Sequence, residues 1–76
     1  MASVEPADVP ITTDLITLGQ LLKLAGALES GGDARAALAA GGFAVNGEPE
    51  ARRGRKLVPG DVVELPGGAA LRVVAS

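Results

Sequence analysis

The segment Ala39–Glu48, A-A-G-G-F-A-V-N-G-E, is where the sequence changes from a helical to a strand pattern. Upstream, apolar residues recur at helical spacing, whereas Phe43 and Val45 alternate with small residues, as in a β-strand. Gly41–Gly42 supplies the positive φ that commonly ends a helix, and Asn46–Gly47 is a strong signal for a tight hairpin turn. The segment predicts an α+β domain in which a helix hairpin is followed by a small, mostly antiparallel β-sheet.

Capping residues define both predicted helices. Thr17 and Gln20 fit a capping box, and Ile16 stands at the spacing of a hydrophobic staple with Leu21. The first helix then carries one apolar stripe, formed by Leu18, Leu21, Leu22, Ala25 and Leu28. The second helix is predicted to begin at the capping residue Ser30. Its apolar face consists of Ala34, Ala37 and Leu38.

Proline and glycine punctuate the second half of the chain. Pro59–Gly60 and Pro66–Gly68 predict turns. The segments Asp61–Leu65 and Ala70–Val74 predict strands on either side of the second turn.

The N-terminal segment differs from the rest in composition. Residues 1–8 lack hydrophobic periodicity and are expected to form a flexible acidic tail. Val9–Ile16 is expected to supply a short edge strand, limited by Pro10. Residues 9–76 are then predicted to form a single domain, which at this size has little stability to spare.

Composition excludes several kinds of function. The chain of 76 residues is 47% hydrophobic, yet Phe43 is its only aromatic residue, so the core must be aliphatic. Absence of cysteine and histidine removes disulfides, thiolate or imidazole metal ligands, and nucleophilic catalysis that relies on either side chain. We therefore expect no enzyme activity, no cofactor and no small-molecule substrate. The chain shows neither a secretory signal pattern nor a membrane-spanning run, which predicts a cytoplasmic protein.

The most informative charged stretch is Ala51–Leu57, A-R-R-G-R-K-L. It places four of the seven basic residues within five positions: Arg52, Arg53, Arg55 and Lys56. The formal net charge is −2, so this positive site is local. Arginine forks match phosphate oxygens bidentately, which favours an anionic partner. The alternative is a solvated loop partly neutralised by Glu48 and Glu50, and such pairs contribute only about 0–1 kcal/mol.

The ordered motifs S-G-G-D-A-R, V-N-G-E, R-R-G-R-K and P-G-D-V-V-E resemble the S4-type RNA-binding domain, and especially its short, stand-alone bacterial members. The resemblance spans about Leu15 to Leu65. It implies the alpha-L motif, an RNA-binding module in which two helices and the following hairpin form one positive face. It also implies RNA contacts by Arg35 on the second helix and by the four cations of the loop.

Two further residues are candidate contacts. Lys23 shares one predicted helix face with Gly19 and Gly26, which would either let an RNA backbone approach or admit a neighbouring helix. Asn46 is expected to serve the hairpin turn first and RNA second. Because the chain lacks a platform of aromatic residues for stacking bases, the expected partner is structured RNA, ribosomal or transfer, bound by a monomer.

A different class of function also fits part of the sequence. The V-N-G-E and P-G-D-V-V-E-L segments occur in β-grasp-like carriers and protein-interaction modules. In such a module the cationic segment Arg52–Lys56 would dock an acidic partner. Sulfur carriers of that kind end in an exposed Gly-Gly, whereas Gly67–Gly68 is internal here. The predicted helices also precede the sheet instead of lying within it.

Overall fold

The computed structural model describes residues 5–27 and 31–76, with the backbone alone for residues 31–33. Within this part of the chain, two helices and seven short strands form an α+β fold, as predicted. The elements are β1 (Ala7–Ile11), β2 (Ile16–Thr17), α1 (Leu18–Leu24), α2 (Gly31–Ala40), β3 (Ala44–Val45), β4 (Glu48–Pro49), β5 (Lys56–Leu57), β6 (Val62–Glu64) and β7 (Ala70–Ala75).

The main sheet contains five strands in the order β1-β7-β6-β3-β4, and β2 pairs separately with β5. The β1–β7 pair is parallel and the other pairs are antiparallel, so the main sheet is mixed. Its register aligns Val63 with Val45 on one side and with Leu71 on the other. Residues that share a register row point to the same face of a sheet. All three of these side chains are buried, so this face lies against the core.

Strand β1 differs in its bounds from the predicted Val9–Ile16 edge strand. It begins at Ala7, inside the segment expected to be a tail, and ends at Ile11. The chain then bends, and the Thr13 hydroxyl donates a hydrogen bond to the Leu15 carbonyl at 2.7 Å. Ile16 therefore belongs to another strand, β2. The edge position of β1 agrees with the presence of Pro10, which cannot donate a hydrogen bond.

The N-terminus of α1 has the predicted capping box. The Gln20 amide N–H donates to the Thr17 hydroxyl at 3.3 Å, and the Thr17 N–H donates to the Gln20 side-chain oxygen at 3.2 Å. Ile16 and Leu21, the predicted staple pair, are both buried in the core. Because Thr17 is also in strand β2, the cap joins the strand directly to the helix.

The C-terminus of α1 comes earlier than the apolar stripe predicted. The helix ends at Leu24, and Gly26 adopts a positive φ of 75°. The Ala27 N–H donates to the Leu22 carbonyl at 2.9 Å and the Gly26 N–H donates to the Lys23 carbonyl at 3.1 Å, as in a Schellman motif. Gly26 therefore ends the helix, and the prediction that it lies on the helix face with Lys23 is wrong.

Two predictions about the following segment concern residues outside the described part. Leu28 and the expected capping residue Ser30 belong to that undescribed segment. Helix α2 contacts α1, and its Ala34 and Leu38 are buried as expected.

The core is aliphatic apart from Phe43 and joins both helices to one face of the main sheet. Its fully buried members are Leu18, Leu21, Leu22, Leu38, Val45, Leu57, Val63 and Val73. Burying a side chain of this size stabilises a fold by about 1.5–3 kcal/mol. In the described residues, neither helix has the length and apolar character needed to cross a lipid bilayer.

Candidate functional site

The segment Arg52–Lys56, hereafter the basic loop, carries four cations. Its backbone is hydrogen-bonded to the start of α1. The Leu18 N–H donates to the Arg55 carbonyl at 2.8 Å, and the Gly19 N–H donates to the Arg53 carbonyl at 2.9 Å. The first N–H groups of a helix have no partner within the helix, so these bonds satisfy two of them. The loop is thus held at fixed points although it is exposed.

The far end of the basic loop is anchored by a short ladder. In it, Lys56 pairs with Thr17 and Leu57 pairs with Ile16. Leu57 is fully buried, whereas the Lys56 side chain is exposed. The ladder therefore fixes the backbone beneath Lys56 and leaves its ammonium in solvent.

A third restraint comes from Glu50, which precedes the basic loop. Its carboxylate accepts hydrogen bonds from the backbone N–H groups of Ala51 and Arg52, both at 3.0 Å. It also accepts from Nε and Nη2 of Arg52, at 3.1 and 3.2 Å, and from Nη1 of Arg55 at 3.1 Å. We call Glu50, Arg52 and Arg55 the Glu50 cluster. Only 8% of the Glu50 side chain is exposed.

These contacts favour the charged form of Glu50. The hydrogen bond from the Arg52 side chain is the largest cause, followed by that from the Arg52 backbone, and together with the bonds from Arg55 and Ala51 they lower the pKa of Glu50 from 4.5 to about 2. The same side-chain bond raises the pKa of Arg52. Glu50 therefore carries a full negative charge at neutral pH, within the basic loop's immediate surroundings.

Arg53 and Lys56 have a different environment from the two arginines of the Glu50 cluster. Among the described residues, no carboxylate lies within ion-pair distance of either side chain, and both residues are exposed. Arg53 lines an open groove of about 260 Å³ that lies between the basic loop and the helices. Lys23 of α1 lines the same groove, so the fold brings these two predicted contacts together.

Gly19 permits the close approach of the basic loop to α1. A Cβ atom at this position would lie 3.3 Å from the Arg53 Cβ and 3.4 Å from the Arg53 carbonyl oxygen. It would also lie 3.8 Å from the Cβ of Ala34 in α2. The absence of a side chain at Gly19 therefore matters most for the basic loop, because Ala34 of α2 would lie only at ordinary contact distance.

The remaining predicted contacts lie apart from the Glu50 cluster. Arg35 is exposed on α2, next to Ala34, which lines the groove, but Arg35 does not line it. Asn46 has a positive φ of 52° in the predicted hairpin turn. Its side-chain amide donates to Asp61 at 3.1 Å and its side-chain oxygen accepts from the Val62 N–H at 3.0 Å. Both polar ends of the Asn46 side chain are therefore used within the fold.

Sequence reasoning missed the part played by Glu50. It treated Glu50 and Glu48 alike as partial neutralisers, yet in the described residues Glu50 alone of the two forms ion pairs. The seventh cation, Arg72, pairs with Asp8 at 3.4 Å between β7 and β1. No grouping of three or more acidic side chains suited to a metal ion occurs within residues 5–27 and 31–76.

Comparisons with known proteins bear on the family of the chain as a whole. A family model described as the S4 domain matches residues 9–74. The Bacillus subtilis (strain 168) protein named "Probable ribosome maturation protein RlbA" is 52% identical over 66 residues, which cover 87% of this chain and 93% of that protein. The match thus extends over nearly the whole of both chains. The resemblance seen in the sequence is confirmed, and the chain belongs to the S4 domain family.

Proposed function

We propose that this chain is a non-catalytic module that binds structured RNA through a basic face on the helical side of the fold. The face comprises Lys23, Arg35 and the basic loop, with Asn46 as a secondary contact. In this proposal α1 and α2 act as the helix hairpin of an alpha-L motif. Family membership and the similarity to a protein named for ribosome maturation support RNA, and ribosomal RNA in particular.

The observation that carries the proposal is the anchoring of the basic loop. Its backbone is fixed by hydrogen bonds from Leu18 and Gly19, so its cations project from defined positions. Binding to such a loop costs less conformational entropy than binding to a loop that must become ordered on binding. Folded RNA presents phosphates in a fixed arrangement, which suits a preorganised set of cations.

The kind of RNA that we expect to bind also follows from the lack of an aromatic residue in the basic face. Phe43, the only aromatic residue, is buried in the core and is not available to stack on a base. Recognition by phosphate contacts and shape is therefore favoured over recognition of single strands. We further propose that the protein acts in the cytoplasm as a monomeric accessory factor of the ribosome or of a precursor of it.

A salt series tests the proposal. Fluorescence anisotropy would measure binding of the unchanged protein to a structured ribosomal RNA fragment. Each phosphate contact contributes about 0.7–0.9 to the slope of log affinity against log salt, so four or more contacts predict a slope of roughly −3 or steeper. The double variant Arg53→Gln/Lys56→Gln should lose about 1.4–1.8 of that slope.

Two controls separate RNA binding from other outcomes. Arg72→Gln removes the same charge as either single change but lies on β7, outside the basic face, and should retain the slope. Poly-glutamate of similar length replaces RNA to test docking of an acidic protein. Tighter binding to poly-glutamate than to RNA, or a slope near zero with RNA, would contradict the proposed function.

A further inference from the structure

The basic loop contains two kinds of cation, although all four are close in sequence. Arg52 directs two of its donors, Nε and Nη2, at Glu50, and Arg55 directs Nη1 at the same carboxylate. Arg53 and Lys56 have no such partner in the part of the chain that the structure describes. The difference lies in their surroundings and not in their distance along the chain.

Charge follows the same division. The Glu50 cluster contains two positive side chains and one negative side chain, so its formal net charge is +1. Arg53 and Lys56 contribute one full positive charge each. A phosphate that approaches the Glu50 cluster meets the repulsion of a carboxylate that is held in place by two backbone N–H groups. A phosphate that approaches Arg53 or Lys56 does not.

We propose that Glu50 is a positioning and specificity-determining residue: it keeps Arg52 and Arg55 as internal partners that shape the basic loop, and leaves Arg53 and Lys56 to contact RNA phosphates. This inference rests on the proposed RNA binding and deepens it. It assigns the loop two full phosphate contacts instead of four. Arg52 and Arg55 act mainly through the geometry they give to their neighbours.

Exposure alone would have suggested a different assignment. The Arg52 side chain is 77% exposed, and by that measure it is well placed for a ligand. Its fork is nevertheless bound to Glu50 through two donors, the arrangement with which arginine also binds phosphate. Glu50 therefore occupies the Nε–Nη2 edge of Arg52, and a phosphate that approaches this edge competes with a carboxylate that is a covalent part of the chain.

Salt slopes of matched variants test the division. Arg52→Gln and Arg53→Gln remove the same side chain one residue apart. Arg53→Gln should make the slope less steep by about 0.7–0.9, the contribution of one phosphate contact. Arg52→Gln should make it less steep by less than half that amount. Circular dichroism and urea unfolding would verify that both variants are folded under the conditions of the binding assay.

The same pair in a Glu50→Gln background shows whether Glu50 causes the difference. Glutamine retains an oxygen that can accept from the backbone N–H groups but carries no charge to hold the arginines. Glu50→Gln alone should therefore steepen the slope, by about 0.7–0.9 for each arginine released. In that background, Arg52→Gln and Arg53→Gln should make the slope less steep by equal amounts. A purely structural role for Glu50 would change affinity without making the two arginines equivalent.

The possible failures are distinguishable. Equal losses from Arg52→Gln and Arg53→Gln in the native Glu50 background would overturn this inference and leave RNA binding intact. An unchanged gap between them after Glu50→Gln would also overturn it, because Glu50 would then not be the cause. A slope near zero for the unchanged protein would remove the proposed function and this inference together.

Discussion

Two exposed turns, the Asn46–Gly47 hairpin turn and the basic loop, are separated by only four residues and are held in different ways. The hairpin turn connects β3 directly to β4 through two residues of positive φ, 52° at Asn46 and 86° at Gly47. The Asn46 side chain is also bonded to Asp61 and Val62. The basic loop has no such regular pairing across it. Its shape depends on hydrogen bonds from α1, which is distant in sequence, and on Glu50.

Each turn also relies on a carboxylate, but the two carboxylates have different partners. Asp61 accepts from neutral donors, the Asn46 amide and the Val58 N–H. Glu50 accepts from two arginines as well as from the backbone. The comparison teaches that a carboxylate can fix a turn through neutral donors alone, as Asp61 does. It can also fix a turn and hold nearby cations, as Glu50 does.

The largest expected effect comes from breaking the anchor of the basic loop in the core. Leu57 is fully buried directly after the loop. Leu57→Ala should lower the free energy of unfolding by about 2–5 kcal/mol, through lost burial and the cavity left behind. Urea unfolding measures this loss. The exposed neighbour Val58 provides the control, because Val58→Ala should cost much less.

The next effect comes from forcing the basic loop away from α1. Gly19→Val places a side chain where even a Cβ atom would lie 3.3 Å from Arg53, and overpacking of this kind costs about 1–3 kcal/mol. Trypsin should then cleave the loop faster, because its backbone is no longer held. Gly54→Val is the matched control, since a Cβ atom at Gly54 would meet open space. Equal cleavage of both variants would show that the loop does not depend on its contact with α1.

A smaller effect should result from changing the hairpin turn. Asn46→Ala removes two side-chain hydrogen bonds and places alanine at a positive φ, and should cost about 1–2 kcal/mol. Asn46→Gly loses the same bonds but tolerates the φ, and should therefore cost less. Neither variant should alter trypsin cleavage of the basic loop. Faster cleavage would mean that the two turns are coupled.

The smallest effect is expected from acid. Because folding lowers the pKa of Glu50 from 4.5 to about 2, the unfolded chain takes up the proton first as pH falls. The stability from the Glu50 cluster is thus complete above pH 4.5 and is lost as pH falls towards 2. Solvent screening limits the loss to about 1 kcal/mol.

Urea midpoints at neutral pH and at about pH 3 would measure part of this loss, because pH 3 lies between the two Glu50 pKa values of 4.5 and about 2. The urea midpoint of Glu50→Gln should depend less on pH than that of the unchanged protein. The same dependence in both proteins would exclude Glu50 as the cause.

The features that sequence predicted are those encoded by adjacent residues. The Thr17–Gln20 capping box and the Asn46–Gly47 turn follow from local geometry, and both are confirmed. The end of α1 was predicted wrongly because Gly26 falls at helical spacing after Gly19, and periodicity does not show where a positive φ intervenes. The α+β order of elements was predicted correctly because the change of period is itself a local signal.

The candidate site was predicted in composition but not in arrangement. Arg52, Arg53, Arg55 and Lys56 could be selected from their clustering alone. Sequence spacing did not show that Glu50 pairs with two of them, because that choice depends on how the chain folds back against α1. Parallel pairing of β1 with β7 was likewise inaccessible, since it joins segments at opposite ends of the described chain.

That last pairing has a consequence for the order of events during synthesis. In the described structure, β1 is hydrogen-bonded to β7 and to no other strand of the sheet. Strand β1 is synthesised early and therefore remains unpaired until nearly all the rest of the domain has been made. Folding of this sheet is consequently coupled to completion of β7. In a nascent chain that stalls before Ala70, β1 has no partner strand to pair with.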